Sequence, residues 1–150
     1  YRRDKLAVLL GRPIEVMAAK SSAALWAAVR DAKPILSEPE RQVWKLSVTP
    51  GDAPQLVSRL SNELGARCLL DWGGGLVWAA LPPSPDASAA AVRVLLGSGH
   101  ATLMRAPEAV RSNVDVLHPQ PPALAALSAR VKDSFDPRHL FNPGRMSRVF

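Results

Sequence analysis

Cysteine is almost absent from this chain: Cys68 stands alone among 150 residues. One thiol excludes an intrachain disulfide and any multi-cysteine metal or iron–sulfur site. It reads most simply as a core thiol in a reducing compartment. Long apolar runs are missing too, and with them any expected bilayer span; no signal peptide is visible. The three histidines, His100, His118 and His139, are too widely spaced for a helical His pair or a His-Glu-x-x-His zinc motif. There is no Gly-x-Ser-x-Gly elbow, and a Cys–His dyad has only Cys68 to draw on. Basic residues outnumber acidic ones, 19 to 13, for a net charge of +6. They are scattered, without a Lys/Arg run interleaved with aromatics, so nucleic acid is not an expected partner.

What is present suits a globular domain. The length allows one core of ordinary size, and a hydrophobic fraction of 47% with mean hydropathy near zero fits a soluble fold. The first residue is Tyr1, not Met, which reads as a fragment of a longer protein.

Periodicity divides the chain into three. Residues 1–42 read as a helical lead-in, interrupted at Gly11-Arg12-Pro13, with Ser21 or Ser22 able to cap a helix carrying Leu25, Ala28 and Val29. In 43–105, Val43 to Val48 alternates as a half-buried strand, with Trp44, Leu46 and Val48 on one side and Lys45 and Ser47 on the other. Asp52 can cap the next helix, in which Ala53, Leu56, Val57, Leu60 and Leu64 repeat at helical spacing and Gly65 is the stop. Arg67 to Trp72 and Leu76 to Leu81 read as strands joined by the turn Gly73-Gly74-Gly75. A helix over Ala87 to Leu96 and a strand over His100 to Met104 follow. Residues 106–150 read as a proline-rich segment wrapping the surface, a helix near Leu124, Leu127 and Val131, and a C-terminal tail.

The order strand, helix, strand, strand, helix, strand predicts an α+β fold of ferredoxin-like (βαββαβ) type. It would be an antiparallel sheet with helices mainly on one face, plus N- and C-terminal helices. The helices are expected over Trp44, Leu46, Val48, Ala101 and Leu103. The opposite face then carries Lys45, Ser47, His100, Thr102 and Asp71, a polar set that is either solvated or lines a site. Such a fold alone says nothing about function.

Several side chains have two readings. His100, between Gly99 and Ala101, can accept a proton or bond a carboxylate, or simply close a strand end. Lys45 and Arg105 can bind a carboxylate or be ordinary solvated charges. Trp72 and Trp78 flank a turn and can stack on an aromatic ligand or pack in a core. The glycines after Asp71 lack the strand–helix context of a dinucleotide loop and the Walker lysine, and they read as a hairpin turn.

The tail Phe135-Asp-Pro-Arg-His-Leu-Phe-Asn-Pro-Gly-Arg-Met146 is the least generic stretch. Asp136 can cap a helical turn whose first position suits Pro137, with Leu140 and Phe141 as its apolar side. Asn142-Pro143-Gly144 ends it, and Arg145 follows. Asp-Pro followed by Phe-Asn-Pro-Gly-Arg-Met resembles the C-terminal signature of the FAD-linked oxidases of the vanillyl-alcohol oxidase/p-cresol methylhydroxylase type. Together with Val43-Trp-Lys-Leu-Ser-Val48, Asp71-Trp-Gly-Gly74 and Gly99-His-Ala-Thr-Leu-Met-Arg105, it is similar to the C-terminal half of the E subunits of bacterial glycolate oxidases. The likeness runs from about Trp44 to Met146. These proteins more often have Arg where Lys45 stands.

The resemblance implies a C-terminal cap that folds over the flavin, with the FAD-binding N-terminal domain absent from this chain. The implied enzyme is a flavin-dependent 2-hydroxy-acid oxidoreductase that turns glycolate into glyoxylate, the fragment alone being inactive. It also implies His100 as a catalytic group, Lys45, Asp71 and Arg105 as substrate-binding, and Asn142, Gly144 and Arg145 on the FAD side, with no metal. Implied partners are the FAD domain of the same subunit, a flavin-bearing D subunit, an iron–sulfur F subunit and a small 2-hydroxy acid. The implied location is cytoplasmic, or peripheral to the inner membrane through those subunits. Self-association of the isolated chain is expected, because a lone cap exposes the surface that meets the flavin domain. The alternative is an interaction module that assembles the oxidase subunits without direct catalysis.

Overall fold

The computed structural model describes residues 1–144 and divides into two compact units, one of residues 1–33 and one beginning at Pro34. The first holds α1 (Arg2–Leu10) and α2 (Ala19–Arg30), neither of which contains a buried residue. Gly11 closes α1 in the left-handed region at φ 63°. Ala18 sits at the N-terminal boundary of α2, so Ser21 and Ser22 lie inside the helix and do not cap it.

The boundary falls within the first turn of α3 (Lys33–Leu36), whose Ile35 is buried. Next come β1 (Gln42–Ser47), α4 (Ala53–Leu64), β2 (Arg67–Asp71), a 3₁₀ turn over Trp72–Gly74, β3 (Leu76–Leu81), α5 (Ala89–Leu96) and β4 (His100–Arg105). The short α6 (Glu108–Arg111) and the longer α7 (Pro122–Phe135) follow. The four strands form one antiparallel sheet in the order β2-β3-β1-β4, so the described residues make an α+β protein with seven α-helices.

Packing follows the apolar spacing. The sheet gives Trp44, Leu46, Val77, Ala79, Leu81, Ala101 and Leu103 to a core that α4 completes with Ala53, Leu56 and Leu60, and α5 with Val92 and Leu96. Burying each large apolar side chain there contributes about 1.5–3 kcal/mol. Trp44 is fully buried, and its indole N–H donates to the Ala87 carbonyl at 3.0 Å, so its one polar atom is satisfied. Asp52 holds the N-cap position of α4 without a side-chain hydrogen bond, and Gly65 ends the helix at φ 61°.

Strand β1 begins one residue earlier than alternation predicts. Gln42 is buried on the helix side, where its amide exchanges hydrogen bonds with the main chain of Ser84: Nε2 donates to the carbonyl at 2.8 Å, and Oε1 accepts from the N–H at 3.2 Å. A buried amide with both ends paired avoids the desolvation cost of an orphaned polar group.

The segment after β4 lies along that strand's outer edge. Leu103 N–H donates to the Val116 carbonyl at 2.8 Å, and Arg111 NH1 donates to the Leu103 carbonyl at 3.2 Å. Arg93 on α5 clasps the same segment, donating to the carbonyls of Asp115 and Leu117. Among the described residues no helix is long and apolar enough to cross a membrane.

Candidate functional site

Side chains alternate across a strand, so the pairing register decides which residues share the face away from α4 and α5. Two rows of cross-strand neighbours follow. One runs Leu69, Trp78, Lys45, Thr102; the next runs Asp71, Leu76, Ser47, His100. Lys45, Asp71 and His100 therefore stand on one face. The face is less polar than alternation along β1 and β4 alone suggests. Val43 and Ala80 are fully buried on it and Leu76 nearly so, none of them in the helix-covered core. The parity of β3 carried that signal: Leu76, Trp78 and Ala80 share the face of Lys45.

Lys45 has the most specific surroundings. Its half-buried ammonium lies 5.8 Å from the ring centroid of Trp72 and 5.9 Å from that of Trp78. Two indole faces attract the cation through the ring quadrupole. Among the described residues no carboxylate pairs with it. Its position rests on β1, while that of Trp72 rests on a tight turn. There Asp71 Oδ1 accepts the Trp72 N–H at 2.8 Å and holds Trp72 at φ 53°, the left-handed region. Asp71 thus shapes the turn that brings Trp72 to Lys45, and its Oδ2 remains available.

His100 is exposed at the start of β4, its ring edge-to-face with His118 at 5.8 Å between centroids. His118 accepts the main-chain hydrogen of Ala101 on Nδ1 at 3.3 Å, which puts the proton of its neutral ring on Nε2. Burial lowers the His118 pKa below its ordinary value, and the charges of Arg93 and His100 add to the effect. This contact joins residues far apart in the chain and had no local signal.

Arg105 is engaged by main-chain carbonyls. Its Nε donates to the Arg41 carbonyl at 3.0 Å, NH1 to that of Leu36 at 3.4 Å and NH2 to that of Glu38 at 2.7 Å. Its fork thus holds the main chain leading into β1. The register break between Val43 and Trp44, where β4 bulges, sets Arg105 opposite Val43, on the face that Lys45 shares.

The C-terminal turn is built on Asp136, which is buried although it ends an exposed helix. Its carboxylate accepts from Lys132 Nζ at 2.7 Å and from the N–H groups of Leu140 and Phe141, each at 2.9 Å. The Lys132 bond, helped by those two N–H groups, lowers its pKa to about 2. The capping expected of Asp136 is present, but the residues after Pro137 form a turn, not a helix, and Leu140 and Phe141 are exposed. Asn142 and Gly144 lie on this exposed turn with positive φ, 48° and 69°. Arg145 lies outside the described residues.

Cys68 is half-buried against the core, and burial raises its thiol pKa, so it is a poor nucleophile. Among the described residues no group of three or more His, Cys, Asp or Glu side chains could hold a metal ion. Comparisons of the chain with protein-family models, with curated proteins and with solved structures find no match.

Proposed function

We propose that this chain is the cap of a flavin-dependent 2-hydroxy-acid oxidoreductase of the glycolate oxidase type, the E-subunit cap that roofs FAD held by a separate domain. Its connectivity is then ferredoxin-like, the two βαβ units interleaving in the order β2-β3-β1-β4. The observation that carries the reading is Lys45, an ammonium near two indoles with no carboxylate partner among the described residues, on the same sheet face as His100. That combination fits an anionic planar group better than it fits a plain solvated surface: the indoles offer stacking area and the ammonium offers charge. FAD would supply the hydride acceptor. The chain's own residues would then divide the remaining work. Lys45 binds the carboxylate, His100 takes the hydroxyl proton, and Trp72 and Trp78 exclude water. Asn142 and Gly144 would meet the flavin domain from the exposed terminal turn. Arg105 contributes by fixing the approach to β1.

The test joins the chain to its flavin-binding half and records the visible spectrum before and after glycolate. Bleaching that slows in His100→Ala, and that needs more glycolate in Lys45→Met, is the expected result. A flavin that stays oxidised moves the reading to electron transfer or assembly through the D and F subunits. No flavin at all leaves the interaction module.

That second reading has an observation of its own. Leu124, Leu127, Val131 and Phe135 form one stripe of α7 and all are exposed, Phe135 by 83%. If α7 is an assembly surface, Val131→Glu abolishes co-purification of partner subunits and leaves flavin reduction intact.

A further inference from the structure

The two edges of the sheet are treated differently. The outer edge of β4 is covered: the N–H groups of Ala101 and Leu103 donate to His118 and Val116, and Arg111 donates to the carbonyls of Leu103 and Met104. The outer edge of β2 is bare. Among the described residues nothing bonds to its outward main-chain groups, and it pairs only with β3. The usual protections of a bare edge are short length, charged side chains, proline, a bulge or a covering segment. Arg67-Cys-Leu-Leu-Asp71 is short and charged at both ends but has no proline, bulge or cover, so whether its charges repel or pair depends on what meets them.

Its charges are also arranged about a centre. Arg67 and Asp71 lie two residues on either side of Leu69, and the register puts all three on the same face. An antiparallel partner of identical sequence, related by a two-fold axis at Leu69, meets it with opposite charges in line. Arg67 of one copy faces Asp71 of the other, twice, and Leu69 faces Leu69. On the other face Cys68 meets Leu70 of the second copy, covering a leucine that is 42% exposed in the single chain. Both charged groups have capacity left. Among the described residues Arg67 bonds Glu38 through NH1 alone, and Asp71 engages Oδ1 alone with the Trp72 N–H. Opposite charges directly across an antiparallel pair stabilise it, and like charges there do the reverse.

We infer that β2 is a homodimer interface. Two copies pair antiparallel through Arg67–Asp71 and join their four-stranded sheets into one continuous sheet with isologous two-fold symmetry. This inference does not depend on the flavin reading, since it needs neither substrate nor cofactor.

Charge reversal tests it. Arg67→Asp leaves two acidic ends on β2, and Asp71→Arg leaves two basic ends. Each variant alone is expected to sediment as a monomer at concentrations where the unaltered chain is a dimer. Mixing the two restores a dimer containing one of each. Because Asp71 also shapes the Trp72 turn, a second variant keeps the test independent of folding. Leu69→Cys in a Cys68→Ser background sets one thiol of each copy opposite the other at the two-fold axis, and mild oxidation is expected to give a covalent dimer. An unaltered chain that stays monomeric, a dimer that survives both charge reversals, or the absence of crosslinking in Leu69→Cys overturns the proposal. A complex formed only with a different protein overturns it as well.

Discussion

His118 takes the place of a neighbouring strand for Ala101: its Nδ1, 3.3 Å from the Ala101 nitrogen, accepts the hydrogen that a carbonyl would accept in a continued sheet. A protonated imidazole has no free lone pair and cannot do this. The His118 pKa lies below its ordinary value of 6.5, lowered first by burial and then by Arg93 and His100. The folded state therefore favours the neutral ring. The associated stability is full above 6.5 and declines as pH falls below it, because the unfolded chain then binds the proton more readily. Urea titrations on either side of that value should show a lower midpoint on the acid side. His118→Asn keeps an acceptor without a titrating ring and is expected to flatten this dependence. An equal slope in the variant would assign it to other groups.

Arg105 and the main chain at 36–41 form one structural unit. Arg105→Ala removes donors from three carbonyls, and leaving such acceptors unpaired costs about 1–3 kcal/mol. Lysine offers one compact ammonium in place of a planar fork, so Arg105→Lys should recover only part of the loss. Limited proteolysis reads the effect directly: cleavage within 36–41 should appear in Arg105→Ala. If stability and cleavage stay unchanged while substrate affinity falls, Arg105 is a binding residue after all.

The legible parts of this fold are those set by short-range repetition. Ala53, Leu56, Leu60 and Leu64 at helical spacing, closed by Gly65, identify α4, and alternation from Val43 to Val48 puts Lys45 opposite Trp44. Counting parity along three strands was enough to bring Lys45, Asp71 and His100 to one face. What escaped depends on distance along the chain. Arg105 finds carbonyls more than sixty positions away, Gln42 is satisfied by Ser84, and His118 reaches Ala101 across the wrapping segment. No local pattern encodes such partners. The terminal turn was half legible. Asp136 captures N–H groups as its capping chemistry requires, but a helix was too much to expect where His139 and Asn142 both adopt positive φ.

Gly99, just before β4, lies against the main chain of β1. It adopts φ 109°, and a Cβ built there would collide with the Ser47 carbonyl oxygen of β1. Backbone strain alone costs a non-glycine residue about 1–3 kcal/mol in such a region. Gly99→Ala is therefore expected to destabilise the protein by at least that amount and to loosen the pairing of His100 with Ser47. Gly51 is the control: nothing lies within 4 Å of its added Cβ, so Gly51→Ala should change stability by no more than about 0.5 kcal/mol. Chemical denaturation of the two variants separates the cases, and equal losses would refute the close approach.

The acid limit of the terminal turn follows from Asp136. Its ordinary pKa of 3.8 is lowered to about 2, first by the Lys132 hydrogen bond and then by the N–H groups of Phe141 and Leu140. A lowered carboxylate pKa gives stability that is full above the ordinary value and is lost as pH falls through the folded one. The turn should thus persist unchanged from neutral pH to about 4 and open only toward about 2. The amide resonances of Leu140 and Phe141 report this directly, since both hydrogens point at the carboxylate. Their chemical shifts should titrate together with a midpoint near 2. Lys132→Met removes the largest cause and should raise that midpoint toward 3.8, while Asp136→Asn should abolish the titration. A midpoint already at 3.8 in the unaltered chain would mean that Lys132 and the turn do not hold the carboxylate in solution.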